Sequence, residues 1–432
     1  MNLQVPVVGG FEISYPRMVR VQQKFNPVKI ANIREEIHRQ FAKEAIKAKI
    51  KPGMQVVVGV GSRGISNLPQ IVKAVVDEIK QLGGLPVIVP AMGSHGGAAA
   101  SGQREVLAGY GITEISMACP IVDSMDTVQV GKMSNGLPLF FSKCAYESDA
   151  IVVINRVKPH TSFKGPIESG LLKMLAIGLG KHRGATSIHS FGVDRFRETI
   201  PEAGRILLEK AKVAFGVALL ENAYDETCEI AAIPAEEIYE QEQLLLKKAK
   251  ALMPKILLNE IDVLVIDEFG KEISGAGMDP NVTGRITTGL TDGFNAPSIQ
   301  KIVLRDLTDK SHGNALGVGM ADIITKKLFD KIDFSSMYAN AVTATVLTSV
   351  KIPMILPSDK EALAVAVKTC NRIVPEKIKI VWIKNTLDME FIYVSEAYAD
   401  AISRREDLAI TKDYQDIRFD ADGNLATKFV FR

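Results

Sequence analysis

At 432 residues the chain exceeds what one ordinary hydrophobic core organises, and 47% hydrophobic with 24% charged residues is globular composition without a disordered excess. A net charge of +2 and 6% aromatics argue against the basic field and stacking surfaces of a nucleic-acid binder, and against attraction to an anionic membrane. Cys119, Cys144, Cys228 and Cys370 form no C-x-x-C pair, so neither a zinc knuckle nor a disulfide framework is expected.

The first residues lack the basic start and apolar core of a signal peptide. No apolar run approaches the ~20 residues that span a bilayer, so a cytoplasmic, membrane-free protein is expected. Gln55–Gly59 is a β-branched run followed by a glycine turn, then by helical apolar spacing over Pro69–Leu82 and a second short run, Pro86–Val89. Strand, loop, helix and strand in that order predict a parallel βαβ unit. The loop GSHGG and a helix near Gln103–Gly109 come next. Thr127–Phe141 predicts a hairpin turning at Asn135-Gly136, and Ala150–Asn155 predicts a buried strand leading into Lys158-Pro159-His160. Ile238–Ala251 is an amphipathic helix that stops before Pro254. Strands at Val263–Asp267 and Lys301–Leu304 then begin a second set. The fold class expected is α/β, with two domains of parallel-rich sheets flanked by helices and an active site in the cleft between them. The domains expected are 1–255, 256–385 as a substrate or lid domain, and 386–432 as a C-terminal segment packing back on the first.

Chemistry concentrates on histidine. His95 follows one strand in a glycine loop, and His160 closely follows another; ligands of open α/β sheets sit beyond the carboxyl ends of strands. Imidazole titrates near neutral pH and also binds nickel, zinc or copper, so such positions suit acid/base work or metal ligation. A single strand-end histidine that only braces a turn is an equally good reading; two on separate glycine-rich loops favour function. His38, within REEIHRQ, reads as a solvated helix residue. His182, between Lys181 and Arg183, reads as part of a surface basic cluster. Arg63, in GVGSRG, could grip a carboxylate or phosphate as a bidentate fork. Lys173, inside SGLLKMLAIG, is either a snorkelling side chain or a reactive amine.

The ordered set Arg63, His95, Lys158-Pro159-His160, Lys173, His189 and Lys271 resembles the nickel-pincer-dependent lactate racemase family, which racemises or epimerises 2-hydroxy acids. The resemblance implies that residues 1–255 are the cofactor-binding and catalytic domain. It implies nickel and a pyridinium-3,5-bisthiocarboxylic acid mononucleotide, with His189 as the metal ligand and Lys173 as the lysine joined to the cofactor. His95 and His160 would be the acid/base pair, with Ser62, Thr161, Ser162 and Lys164 around the cofactor. Arg63 and Lys271 would hold the substrate. Asp279, Asn281 and Arg285, in a polar glycine-containing loop that could act as a lid, would read the rest of it. His312 and Asn314 could face the same substrate. Cofactor-synthesis and nickel-insertion proteins would be its partners.

Three features depart from the family pattern: Val60 where an acid is expected, Gly64 where proline is expected, and a longer stretch between His160 and Lys173. They imply a substrate larger or more polar than lactate, with Arg285 free to pair with a second carboxylate. Two other classes compete. One is a zinc- or iron-dependent hydrolase or lyase that uses His95, His160 and His189 as direct ligands. The other is a non-catalytic binding module, which would not need two bases.

Overall fold

The computed structural model describes residues 7–61, 64–288 and 293–432, and divides into two compact units. One comprises Val28–Met253; the other comprises Met1–Pro27 with Pro254–Arg432. The first strand, β1 (Met18–Gln23), belongs to the second of these.

In the unit 28–253, β2 (Gln55–Val60) and β3 (Leu85–Pro90) are buried along their length after the first residue. Such continuous apolar runs suit strands covered on both faces. A hairpin, β4 (Thr127–Lys132) and β5 (Pro138–Ser142), turns through Gly136 and forms its own small sheet. It is followed by β6 (Ala150–Arg156), β7 (Val213–Glu221) and β8 (Thr227–Pro234), and the main sheet has the order β3-β2-β6-β7-β8. Only the β7–β8 pair is antiparallel, so β2, β3 and β6 end on the same side.

Leu68–Gln81 is the crossover helix between β2 and β3. It buries Leu68, Ile71, Val72, Val75, Val76 and Ile79, a single helical stripe, into a core shared with Val56, Val58 and Ile88. The helices Phe196–Lys210 and Ile238–Leu252 are likewise amphipathic, burying Ile200, Ala203 and Leu207 in one and Ile238, Leu245 and Leu246 in the other.

The other unit is built on an eight-stranded sheet. Its strands are β9 (Glu260–Phe269), β10 (Ser298–Leu307), β11 (Ile323–Thr325), β12 (Met354–Leu356), β13 (Ile380–Ile383), β14 (Phe391–Ser395), β15 (Leu408–Ile410) and β1. The order is β12-β11-β10-β9-β13-β14-β1-β15, parallel from β12 through β13 and antiparallel beyond. Here the ends of the chain differ from expectation. Residues 386–432 and residues 1–27 fall in one unit with residues 254–385. Val19 pairs with Val394, and Gln22 pairs with both Phe391 and Ala409, so β1 satisfies its backbone between two C-terminal strands. Phe429 and Phe431 then stack on Tyr393 at 4.3 and 5.5 Å. Among the described residues no helix is long and apolar enough to cross a membrane.

Candidate functional site

Three candidate segments leave the unit 28–253 at the carboxyl ends of β2, β3 and β6. Since β2 lies between the other two, the ends of β3 and β6 are about 10 Å apart. Ser62 and Arg63, beyond β2, lie outside the described residues. Their neighbour Gly64 accepts a hydrogen bond through its carbonyl from Arg156 Nη1 at 3.0 Å, and Arg156 is ion-paired with the buried Glu221. A Cβ on Gly64 would stand 3.6 Å from Lys158 Nζ, which puts the β2 loop against the β6 loop.

The β6 loop is organised by a carboxylate that the sequence did not single out. Glu168, its side chain fully buried, accepts from the His160 amide at 2.7 Å, from the Gly165 amide, and from Lys164 and Lys250 at 3.3 and 2.6 Å. Two ammonium groups and two amides compensate its desolvation, as a buried charge requires. Lys164 also donates to the His160 carbonyl at 2.8 Å, so its ammonium braces the loop. Ser162 donates its amide to His160 Nδ1 at 3.0 Å. That contact occupies the Nδ1 lone pair and assigns the ring proton to Nε2 in the neutral imidazole. Burial, with the charges of Lys173, Lys164 and Lys158 beside it, holds His160 well below its ordinary pKa. The ring is therefore neutral at pH 7.

Lys173 ends the short helix Leu171–Lys173, which continues as a wide π-helical turn over Met174–Gly178. Turns of this kind are frequent at functional positions. A Cβ on Gly178 would meet Met174 Sδ at 2.6 Å and the Ala91 carbonyl at 2.7 Å, so only glycine lets the turn close against the end of β3. At the start of this helix Glu242, 1% exposed, accepts from the Leu172 amide at 2.9 Å. Its carboxyl is pushed up to about 7 by burial. The Lys173 amine is pulled down to about 8, by burial first and then by Lys158.

His189 closes the helix Lys181–His189. Burial and Lys173 lower its pKa to about 4, and its Nδ1 is buried without a hydrogen-bond partner. An aromatic chain joins it to His160: His189 to Phe196 at 4.9 Å, Phe196 to Phe163 at 5.5 Å, and Phe163 to His160 at 4.5 Å. The charges of Lys173 and His189 act on His160, and that of Lys173 acts on His189, so the three form one cluster. His95 is exposed beyond β3, on a 3-10 turn whose carbonyls are held by Gln103. Among the described residues no group of three His, Cys, Asp or Glu side chains is placed to hold a metal ion by itself. The three-histidine hydrolase reading therefore has no geometric support.

The remaining candidates lie in the other unit. Lys271 donates from Nζ to the Gly275 carbonyl at 2.7 Å. Asp279 caps the short helix Pro280–Thr283 by accepting from the Asn281 amide and side chain, both at 2.8 Å. Arg285 forms a two-pronged pair with Asp322 and donates to the carbonyls of Ile299 and Gln300. His312 is exposed, and Asn314 bonds Asn340 at 3.3 Å. His38 is an exposed helix residue beside Glu78, whereas Lys181, expected at the surface with His182 and Arg183, is fully buried.

Glu168, Glu242 and Lys181 carry much of the site's architecture. One signal was available: Ile238, Glu242, Leu245, Leu246 and Ala249 share a helical stripe, so a glutamate sits on an apolar face.

Residues 12–195 match the lactate racemase N-terminal domain family. Among solved structures, the lactate racemase apoprotein from Thermoanaerobacterium thermosaccharolyticum is similar at 12% identity over 77% of this chain and 93% of its own, with a TM-score of 0.46. A protein from Thermotoga maritima is similar at 16% identity over 81% of this chain and 95% of its own, with a TM-score of 0.42. No curated protein matches the chain. The likeness to the lactate racemase N-terminal domain thus lies in residues 12–195, which hold the β2, β3 and β6 loops with His95, His160, Lys173 and His189.

Proposed function

We propose that this protein is an isomerase that racemises or epimerises a 2-hydroxy acid, with Lys173 and His189 holding a nickel-pincer pyridinium mononucleotide and His95 and His160 serving the substrate. The observation that carries the reading is the cluster of His160, Lys173 and His189 in a chain with a lactate racemase N-terminal domain. The residues present fit the cofactor. The buried, partnerless Nδ1 of His189 marks an imidazole whose lone-pair demand a metal would meet, and a ring that stays neutral near pH 7 is the ligating form. An amine lowered to about 8 is roughly one-tenth uncharged at pH 7, far more than an ordinary lysine, and joining to a carboxyl-derived group requires that neutral form. When bound, the cofactor would supply the acceptor for a hydride taken from the substrate carbon and returned to it.

The protein's own residues handle protons and position. In the arrangement described, His160 presents Nε2–H and donates to a substrate oxygen. To accept a proton there, the ring must first move its own proton to Nδ1, which requires the Ser162 contact to open. His95, on the other loop, supplies the second group that a reaction running in both directions needs. Thr161 and Ser162, beside His160, and Ser62, beyond β2, are proposed as cofactor contacts; Arg63 and Lys271 are proposed as substrate contacts. The exposed setting of His95 suits a group that meets solvent-borne substrate. The enzyme would work in the cytoplasm, downstream of proteins that make the cofactor and insert nickel.

The test is enantiomer loss. Protein expressed with cofactor-making enzymes, and given single enantiomers of lactate, malate, gluconate and longer 2-hydroxy acids without nicotinamide, is expected to lose optical purity on at least one. Turnover that instead requires added nicotinamide, or hydrolysis in place of inversion, would overturn the reading.

A further inference from the structure

A lysine with no part in the proposed chemistry ties together two of its segments. Lys181 is 0% exposed and is the first residue of the helix that ends at His189, about 12 Å further on. Its φ of +53° lies in the left-handed region that lysine rarely adopts. Its Nζ donates to the Pro90 carbonyl, the last of β3, at 2.7 Å and to Gln103 Oε1 at 3.4 Å. Gln103, also 0% exposed, donates from Nε2 to the Gly93 carbonyl at 2.9 Å and to the His95 carbonyl at 3.3 Å. With the oxygen facing the ammonium and the amide facing two carbonyls, every contact pairs a donor with an acceptor, which fixes the orientation of the glutamine.

The same loop is pinned twice more. The Gly93 amide donates to the Gly178 carbonyl at 3.1 Å, and a Cβ on Gly102 would lie 2.0 Å from the Gly96 carbonyl, so the helix start is pressed onto the His95 turn. An apolar side chain of the same length would fill the Lys181 position without desolvating an ammonium, and a glycine would hold the φ without strain. A costly residue at a crowded junction points to a role in geometry. Cys144 and Asp123 are the charged or titratable groups that act on it, and burial lowers its amine to about 8, still mainly protonated at pH 7.

We propose that Lys181, acting through Gln103, is a positioning residue that sets the His95 loop in register with the helix bearing His189. Only its kinetic consequence rests on the proposed isomerase reaction; the coupling itself is a property of the cofactor-free protein. Hydrogen exchange therefore tests it directly, with Lys181→Met, Lys181→Arg and Gln103→Met compared with the unaltered protein. Losing a charge-assisted buried bond should open the loop selectively, so amides of 93–99 are expected to exchange about ten-fold faster or more in Lys181→Met. Amides of β6 and of the helix Phe196–Lys210 should keep their rates. Lys181→Arg should restore part of the protection, and the double variant Lys181→Met/Gln103→Met should be no worse than the worse single one. In reconstituted enzyme, Lys181→Met should lower kcat with KM and nickel content held.

Unchanged exchange at 93–99, or an equal rise across the whole unit, would overturn the proposal. If Lys181→Met does not fold, Gln103→Met reads the same amides without touching the bond to Pro90. Inactive wild-type enzyme would instead defeat the isomerase reading and leave the exchange result standing.

Discussion

Lys173→Met is expected to stabilise the cofactor-free protein at pH 7 and to abolish turnover after reconstitution. The Lys173 amine falls from 10.5 to about 8 on folding, through burial and the neighbouring Lys158. Between those values the unfolded chain still binds a proton that the folded chain has released, so stability rises as pH climbs from about 8 to 10.5. Below about pH 8 both states are protonated, and the folded protein carries the whole cost of a charged, part-buried amine. At roughly 1.4 kcal/mol per pH unit, and discounted for partial exposure, that cost is about 1–3 kcal/mol. Methionine fills a similar volume without the charge. Its urea midpoint should exceed the parent's at pH 7, and the difference should fade above pH 10. Lys181 titrates over the same range but is common to both proteins and cancels. A variant less stable at pH 7 would make Lys173 a structural residue, and covalent retention of a cofactor by the variant would remove it from that role.

His95→Ala and His160→Ala should each lower kcat by roughly a hundred- to ten-thousand-fold, the usual worth of a positioned acid or base. The two should differ in stability. His160 packs on Phe163 at 4.5 Å and accepts from Ser162, so its removal leaves a hole beside the Glu168-braced loop and should cost about 1–3 kcal/mol. His95 is exposed, and its replacement should change stability by less than about 0.5 kcal/mol. Single-turnover inversion assays with urea titrations of both variants separate the two losses. If His95→Ala retains full activity, the second proton-handling group lies elsewhere.

Much of the unit 28–253 could be read from local pattern. The runs QVVVGV, LPVIVP and AIVVINR are buried strands because β-branched residues fill a sheet covered on both faces, and Asn135-Gly136 turns the hairpin as its residue types require. The chain ends were not legible, because the pairing of Val19 with Val394 spans nearly the whole sequence and leaves no local signal. The partner of Arg285 was out of view for the same reason: in sequence it is a cation in a polar loop, and only the fold brings Asp322 to it. His95 and His160 could be found from strand ends and glycines, and His189, at a helix end, only through the family resemblance. What holds them could not, since Glu168, Gln103 and Lys181 are ordinary surface residue types until packing buries them.

In the proposed reaction His189 holds nickel while His95 and His160 act on substrate. Protein expressed with cofactor-making enzymes, desalted and assayed for nickel alongside His95→Ala, His160→Ala and His189→Ala, tests it most directly. Nickel is expected at roughly one equivalent per chain in the parent and in the first two variants, and at background in His189→Ala. Loss of nickel from His95→Ala, or full retention by His189→Ala, would contradict it.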